Sequence, residues 1–274
     1  MGITNFDIFL FTQKIFSFGA WVKYCIRFFK DHYSFELPNR NKDLVRTRSM
    51  DKCYILGLGP SLKSVDYTKL DSDTFVVNRF YKIGREWAGF IPTYYVLADK
   101  GFMDPENETE FTNLINAYKG GETKYLLNYS YAKSPITQYL DDRQKFFFSA
   151  FRGKFSRNNK IQIDGIMPSF GNVICNAIGI AMSLGYKEIV LLGCDFNSFA
   201  SRHSVHCYDE PDERCIRLDF ELFCYSGDAY SHMELQEYAK KHGVKIINST
   251  KGSLIDAYPY IIDEELYYPS SMQQ

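Results

Sequence analysis

From residue 52 onward, short apolar runs alternate with polar turns and with longer segments of helical periodicity. Cys53-Tyr54-Ile55-Leu56, Phe75-Val76-Val77, Tyr94-Tyr95-Val96-Leu97 and Glu188–Leu192 are apolar runs halted by Gly, Asn or Asp, the pattern of buried strands. Lys124–Leu127, Lys145–Phe148 and Val244–Ile247 read the same way. Asn172–Leu184 spaces its apolar residues as a helix does and leads through Gly185 into Glu188–Leu192. Ser231–Lys241 predicts a second helix, closed by His242-Gly243 just before Val244–Ile247. A helix ended by glycine and followed at once by a β-branched run occurs twice, which is the rhythm of a parallel α/β sheet. The predicted fold class is therefore α/β: a Rossmann-like, mostly parallel sheet flanked by helices, with a lid segment and an extra N-terminal amphipathic helix.

The first 30 residues follow another pattern. Phe6, Ile8, Phe9, Leu10, Phe11, Ile15, Phe16, Phe18, Trp21, Val22, Ile26, Phe28 and Phe29 crowd together, and Lys23, Arg27 and Lys30 share one side of a helix. The basic residues come late in the stretch, unlike those of a secretory signal. No run approaches the roughly 18 apolar residues of a membrane span. Residues 1–50 carry a net charge of +4 and the remainder −5. A basic aromatic helix beside an acidic body suits either a membrane interface or packing on the body or on a partner chain. The expected organisation is an amphipathic helix over 1–37, a polar linker over 38–51, a catalytic domain over 52–259 with a lid around 197–230, and a tail over 260–274.

Composition narrows the function classes. A net charge of −1 and a pI near 6.5 argue against a nucleic-acid partner. An aromatic content of 17% excludes a disordered chain. The seven cysteines include no pair at zinc-ribbon or redox spacing, so they read as scattered small thiols in a reducing compartment. Cys207 and Cys215 with His203 and His206 are the one alternative metal set.

In such sheets ligands bind at the carboxyl ends of the strands, and those ends are polar here. Gly57-Leu58-Gly59-Pro60-Ser61 follows the first strand, Asn78 the second and Asp99 the third. Asp195 and Asn197 follow Glu188–Leu192, and Asn248 and Ser249 follow Val244–Ile247. The glycines allow a ligand to approach the backbone, and the Ser61 hydroxyl with free amides could hold phosphate oxygens. The turn is neither a P-loop nor a full dinucleotide fingerprint. Residues 198–209, with Arg202, His203, His206 and Tyr208, follow a strand end and are too polar for core, so they read as a lid.

Gly57-Leu58-Gly59-Pro60-Ser61-Leu62, Val77-Asn78-Arg79-Phe80-Tyr81, Leu184-Gly185-Tyr186-Lys187-Glu188-Ile189 and Gly193-Cys194-Asp195-Phe196 resemble, in order and spacing, the bacterial sialyltransferases of glycosyltransferase family 42. Pro92–Asp99 and Ile247–Leu254 resemble polysaccharide-locus proteins related to the 6-hydroxymethylpterin diphosphokinases. The resemblance implies a transferase that uses a CMP-activated sugar without a metal or other cofactor. It implies that Gly57, Gly59, Ser61 and Asn78 hold the nucleotide, and that one of Ser169, Gly171 and Asn172 meets it at the helix start. The family's two lid tyrosines fall nearest to Asn197 and His206, with Tyr208 two residues on. The position matching its catalytic histidine is Ser226, and the nearest histidine is His232.

Transfer from such a donor needs a base for the attacking hydroxyl and a partner for the departing phosphate. His232, His206 and Asp99 are the candidate catalytic residues. The expected partners are a nucleotide-sugar donor, a glycan or glycolipid acceptor and a membrane surface under the N-terminal helix, at the cytoplasmic inner face. Homo-oligomerisation is left open. A magnesium-dependent diphosphokinase, with Asp99 and Asp195 as metal ligands, and a non-catalytic polysaccharide-assembly protein are the alternatives.

Overall fold

The apolar runs become the strands of a parallel sheet because each is buried on both faces, which demands continuous rather than alternating hydrophobicity. The computed structural model describes residues 4, 7–8, 11–12, 15, 18–19, 22, 41–45, 50–102, 104–129, 132, 134–151, 161–164, 166–168, 170–203, 205–209 and 216–267. The strands are β1 Lys52–Leu56, β2 Asp73–Val77, β3 Tyr94–Leu97, β4 Lys124–Asn128, β5 Lys145–Phe151, β6 Ile166–Pro168, β7 Glu188–Leu192 and β8 Lys245–Asn248. They lie in the order β6-β5-β4-β3-β2-β1-β7-β8, and every neighbouring pair is parallel. The chain steps outward from β1 to β6 and then crosses to place β7 on the other side of β1. The topological switch point therefore lies between β1 and β7, where open α/β sheets take their ligands.

The helices packed on the sheet include α1 Glu108–Ala117, α2 Val173–Leu184, α3 Leu218–Lys241 and the short α4 Glu264–Tyr267. Helix α2 is nearly all apolar and lies buried against one face of the sheet, with Leu235, Tyr238 and Ala239 of α3 beside it. Short 3-10 turns and α1 cover the opposite face with Leu62, Phe80, Trp87, Phe111 and Leu114. Asn172 caps α2 by accepting from Cys175 N at 2.8 Å, and Gly185 ends it in the left-handed conformation at φ 90°.

Three elements depart from the sequence expectation. Helix α1 and strand β6 were not anticipated: α1 buries only Phe111 and Leu114, and β6 is three residues ending in proline. Helix α3 begins at Leu218 rather than Ser231, so the second half of the expected lid is helical. Its first turns expose Leu218, Phe220, Leu222 and Phe223 to solvent and so carry no amphipathic stripe to read.

Part of the expected linker packs on the body. Residues 41–45 are helical, Leu44 is buried, and Asn41 donates to the carbonyls of Phe147 and Ile163, both at 2.7 Å. The expected tail also packs back, burying Leu266 and Tyr267 of α4. Most of the expected amphipathic helix over 1–37 lies outside the described residues. Those described are exposed and include Ile8, Phe11, Ile15 and Phe18. No helix among the described residues is long and apolar enough to cross a membrane.

Candidate functional site

The loops after β1 and β7 meet at the switch point with almost no space between them. Gly57 N donates to Leu192 O at 2.7 Å and Gly59 N to Gly193 O at 2.8 Å. A Cβ on Gly57 would stand 2.3 Å from Gly193 O, and one on Gly59 1.8 Å from Asp195 Oδ2. These glycines therefore admit the neighbouring loop, not primarily a ligand. Asp195 accepts from Ser61 N at 3.2 Å and from Ser61 Oγ at 2.7 Å. Burial raises the Asp195 carboxyl above its ordinary value, and the Ser61 hydrogen bonds oppose that rise. The polar groups expected to cradle phosphate thus hold a carboxylate of the chain itself.

Asn78 is in a different situation. It follows β2 in the left-handed conformation at φ 44°, which asparagine tolerates better than most residues. Its backbone is fixed at both ends: its N donates to Val96 O at 3.2 Å, and Tyr95 OH donates to its carbonyl at 2.6 Å. Its side-chain Oδ1 is buried and has no hydrogen-bond partner among the described residues. A buried acceptor left unmatched costs about 1–3 kcal/mol, so such a group calls for a partner. Next to it, Arg79 grips Glu110 through Nε at 2.6 Å and Nη2 at 3.1 Å. Tyr81 OH donates to the same carboxylate at 3.2 Å, and Lys82 stands 3.7 Å away. The Arg79 hydrogen bonds hold the Glu110 carboxyl below its ordinary value.

The described part of the lid is seated on this end of the sheet. Cys207 N donates to Leu58 O at 2.8 Å, and Cys207 and Tyr208 are both buried. The Lys82 ammonium lies 5.5 Å from the centre of the Tyr208 ring, and the His206 and Tyr208 rings meet edge to face at 5.1 Å. His206 is half-buried, and Lys63 pairs with Asp209 at 3.7 Å. Asn197 begins the 3-10 turn Ser198–Ala200 without a side-chain cap.

The remaining predicted residues divide between scaffold and surface. Asn248 is fully buried, donating to Ile255 O and accepting from Thr250 N. Ser249 accepts from Asp263 N through Oγ, and its carbonyl accepts from Tyr267 OH. Both serve the packing of the C-terminal segment. Asn172 spends its side-chain oxygen on the α2 cap. Asp99 is exposed and accepts from Gly101 N. Ser169 lies outside the described residues, and so does Cys215 of the alternative metal set. Among the described residues no three His, Cys, Asp or Glu side chains gather as metal ligands.

His232 stands deep in the core. It is a mid-helix residue, 1% exposed, with Nδ1 3.0 Å from Tyr258 OH and Nε2 3.5 Å from Cys175 Sγ. Burial pushes its pKa down to about 4, so the imidazole is neutral and a poor proton acceptor. Because α3 starts at Leu218 and not at Ser231, this histidine lies well inside the helix and not in its first turn. Ser226 is exposed and donates to Phe223 O. Asp228, which sequence reasoning missed, lies on α3 against Gly171. Its only sequence signal was the Gly227-Asp228 pair, which lies within the part of the chain read as lid.

No family model and no curated protein matches the sequence. Among solved structures the chain is similar to the sialyltransferase CstII from Campylobacter jejuni in complex with cytidine-5'-monophosphate, at 19% identity and a TM-score of 0.49, covering 78% of this chain and 86% of that one. It is also similar to the monofunctional alpha-2,3-sialyltransferase Cst-I from Campylobacter jejuni, at 16% identity and a TM-score of 0.48, covering 77% and 80%.

Proposed function

We propose that the chain is a sialyltransferase-like glycosyltransferase, moving a sugar from a CMP-activated donor to a glycan or glycolipid acceptor without a metal. The observation that supports this reading is Asn78 Oδ1: a buried acceptor without a partner among the described residues, at the carboxyl end of β2 next to the switch point. A ribose hydroxyl or a cytosine amino group is a donor of the kind such an atom requires. Arg79 and Lys82, together with His206 on the lid, bring donor groups to the same rim, suited to a departing phosphate. In this reading the glycine turn gives the nucleotide a close-packed wall rather than a phosphate cradle. The acceptor oxygen attacks the anomeric carbon, the bond from that carbon to the phosphate oxygen breaks, and CMP leaves with the electron pair. We place the enzyme at the inner face of the membrane in surface-polysaccharide synthesis, held there by its basic aromatic N-terminus.

The test is a thermal shift with CMP, repeated in EDTA. CMP at millimolar concentration is expected to raise Tm equally with and without EDTA, and Asn78→Ala to abolish the rise. A wild-type protein that CMP does not stabilise ends this reading.

A further inference from the structure

We infer that the hydroxyl of Tyr95 is the group that positions Asn78 for its ligand, an assignment that rests on the glycosyltransferase reading above. Asn78 and Tyr81 stand three residues apart, the separation at which a turn closes by a direct bond from its first carbonyl to its last amide. Here a side chain enters that bond. Tyr95 OH donates to Asn78 O at 2.6 Å and accepts from Tyr81 N at 3.1 Å, so one phenol hydroxyl bridges the two ends of the turn. The next residue of β3 supplies a second tether, with Asn78 N donating to Val96 O at 3.2 Å. Two adjacent residues of β3 thus fix both sides of Asn78.

The phenol itself is held rigidly. Tyr95 is fully buried and lies level with Val76 of β2 in the sheet register. Its ring stacks on Tyr125 of β4 at 5.9 Å and meets Tyr118, just after α1, at 5.6 Å. Burial pushes the phenol well above its ordinary value, so the hydroxyl keeps its proton and stays a donor. Asn78 stands at φ 44°, a conformation that persists in a residue other than glycine only where the surroundings fix it. Without the Tyr95 hydroxyl, Asn78 O and Tyr81 N are either unmatched in the core or bonded directly to each other. A direct bond draws the two ends together and shifts Asn78, and with it the buried Oδ1 that no described residue satisfies. Arg79, which grips Glu110, lies inside the same bridged turn. Tyr95 is therefore a positioning residue, acting on the ligand through Asn78.

The experiment titrates CMP by calorimetry into the full-length wild type, Tyr95→Phe, Tyr125→Phe and a chain with Tyr95 replaced by 4-aminophenylalanine. Melting temperatures are recorded for all four, and binding is measured well below them. Tyr95→Phe keeps the stacked ring and is expected to weaken CMP at least about 10-fold. The amino group of 4-aminophenylalanine restores a donor to Asn78 O and should bring Kd back to within about threefold of wild type. Tyr125→Phe removes a hydroxyl from the neighbouring ring and should leave Kd within about twofold. Tyr95→Phe with wild-type affinity overturns the assignment, and if Asn78→Ala still loses CMP the transferase reading stands. Equal weakening in Tyr125→Phe, or no recovery with 4-aminophenylalanine, makes the effect one of general core packing and overturns the assignment too. So does a Tyr95→Phe chain that does not fold, which makes the hydroxyl a structural group. A wild type that does not bind CMP overturns the transferase reading, and the assignment with it.

Discussion

Both ring nitrogens of His232 are engaged in the core, and its titration is therefore a stability measurement. The ordinary imidazole value is 6.5, and burial holds it near 4 in the folded chain. Between these values the unfolded chain binds a proton that the folded chain refuses. Stability thus falls as pH drops through the window from 6.5 to 4, by up to about 3 kcal/mol below it. His232→Gln should flatten that slope in urea midpoints compared with wild type, and an unchanged slope would show a freely titrating imidazole. Asp195 makes a different residue-scale prediction. Asp195→Ala leaves Ser61 N and Oγ without their acceptor beside a glycine turn that fits nothing larger, and should cost about 2 kcal/mol in denaturant unfolding. Stability within experimental error of wild type would mean that water replaces the carboxylate.

At the scale of elements, a helix's contribution depends on which face it buries. Helix α2 is buried nearly throughout and is capped by Asn172, so Asn172→Ala should lower stability by about 1 kcal/mol. The first turns of α3 are the opposite case. Phe220 and Phe223 are 60% and 56% exposed, so serine at either position should change folding stability by no more than about 0.5 kcal/mol. Thermal melts of the three variants separate the two cases; a large loss from either serine variant would show that this surface is covered in solution. The same exposure explains why the start of α3 was misread: a helix segment with apolar residues facing water has no periodic boundary. Strands β1, β3 and β7 had the reverse advantage, since burial on both faces leaves a continuous apolar signal.

At the scale of the molecule, truncation distinguishes an appended N-terminus from an integral one. Deleting residues 1–35 should release the protein from anionic vesicles in a flotation assay and leave the CMP shift intact. Extending the deletion to residue 45 removes Leu44 and the Asn41 bonds to Phe147 O and Ile163 O, and should destabilise the fold by several kcal/mol. Equal stability of the two truncated proteins would contradict the structural role of this short helical turn. The parallel order gathers the polar ends of five strands at one end of the sheet, although they are scattered over some 190 positions of sequence.

The sequence by itself determined the α/β class, most of the strands, helix α2 and the location of the polar strand ends, because burial on a sheet leaves a local apolar record. It also singled out Asn78, whose place directly behind β2 requires no knowledge of distant partners. Only the tertiary structure decided which polar groups are already satisfied. Asp195 is consumed by Ser61, 134 positions away, Asn248 by the carbonyl of Ile255, and His232 by Cys175 and Tyr258. A hydrogen bond between distant residues leaves no trace in the pattern of either. The chain's pattern therefore shows where a site can be built, while packing determines which of its side chains remain available for chemistry.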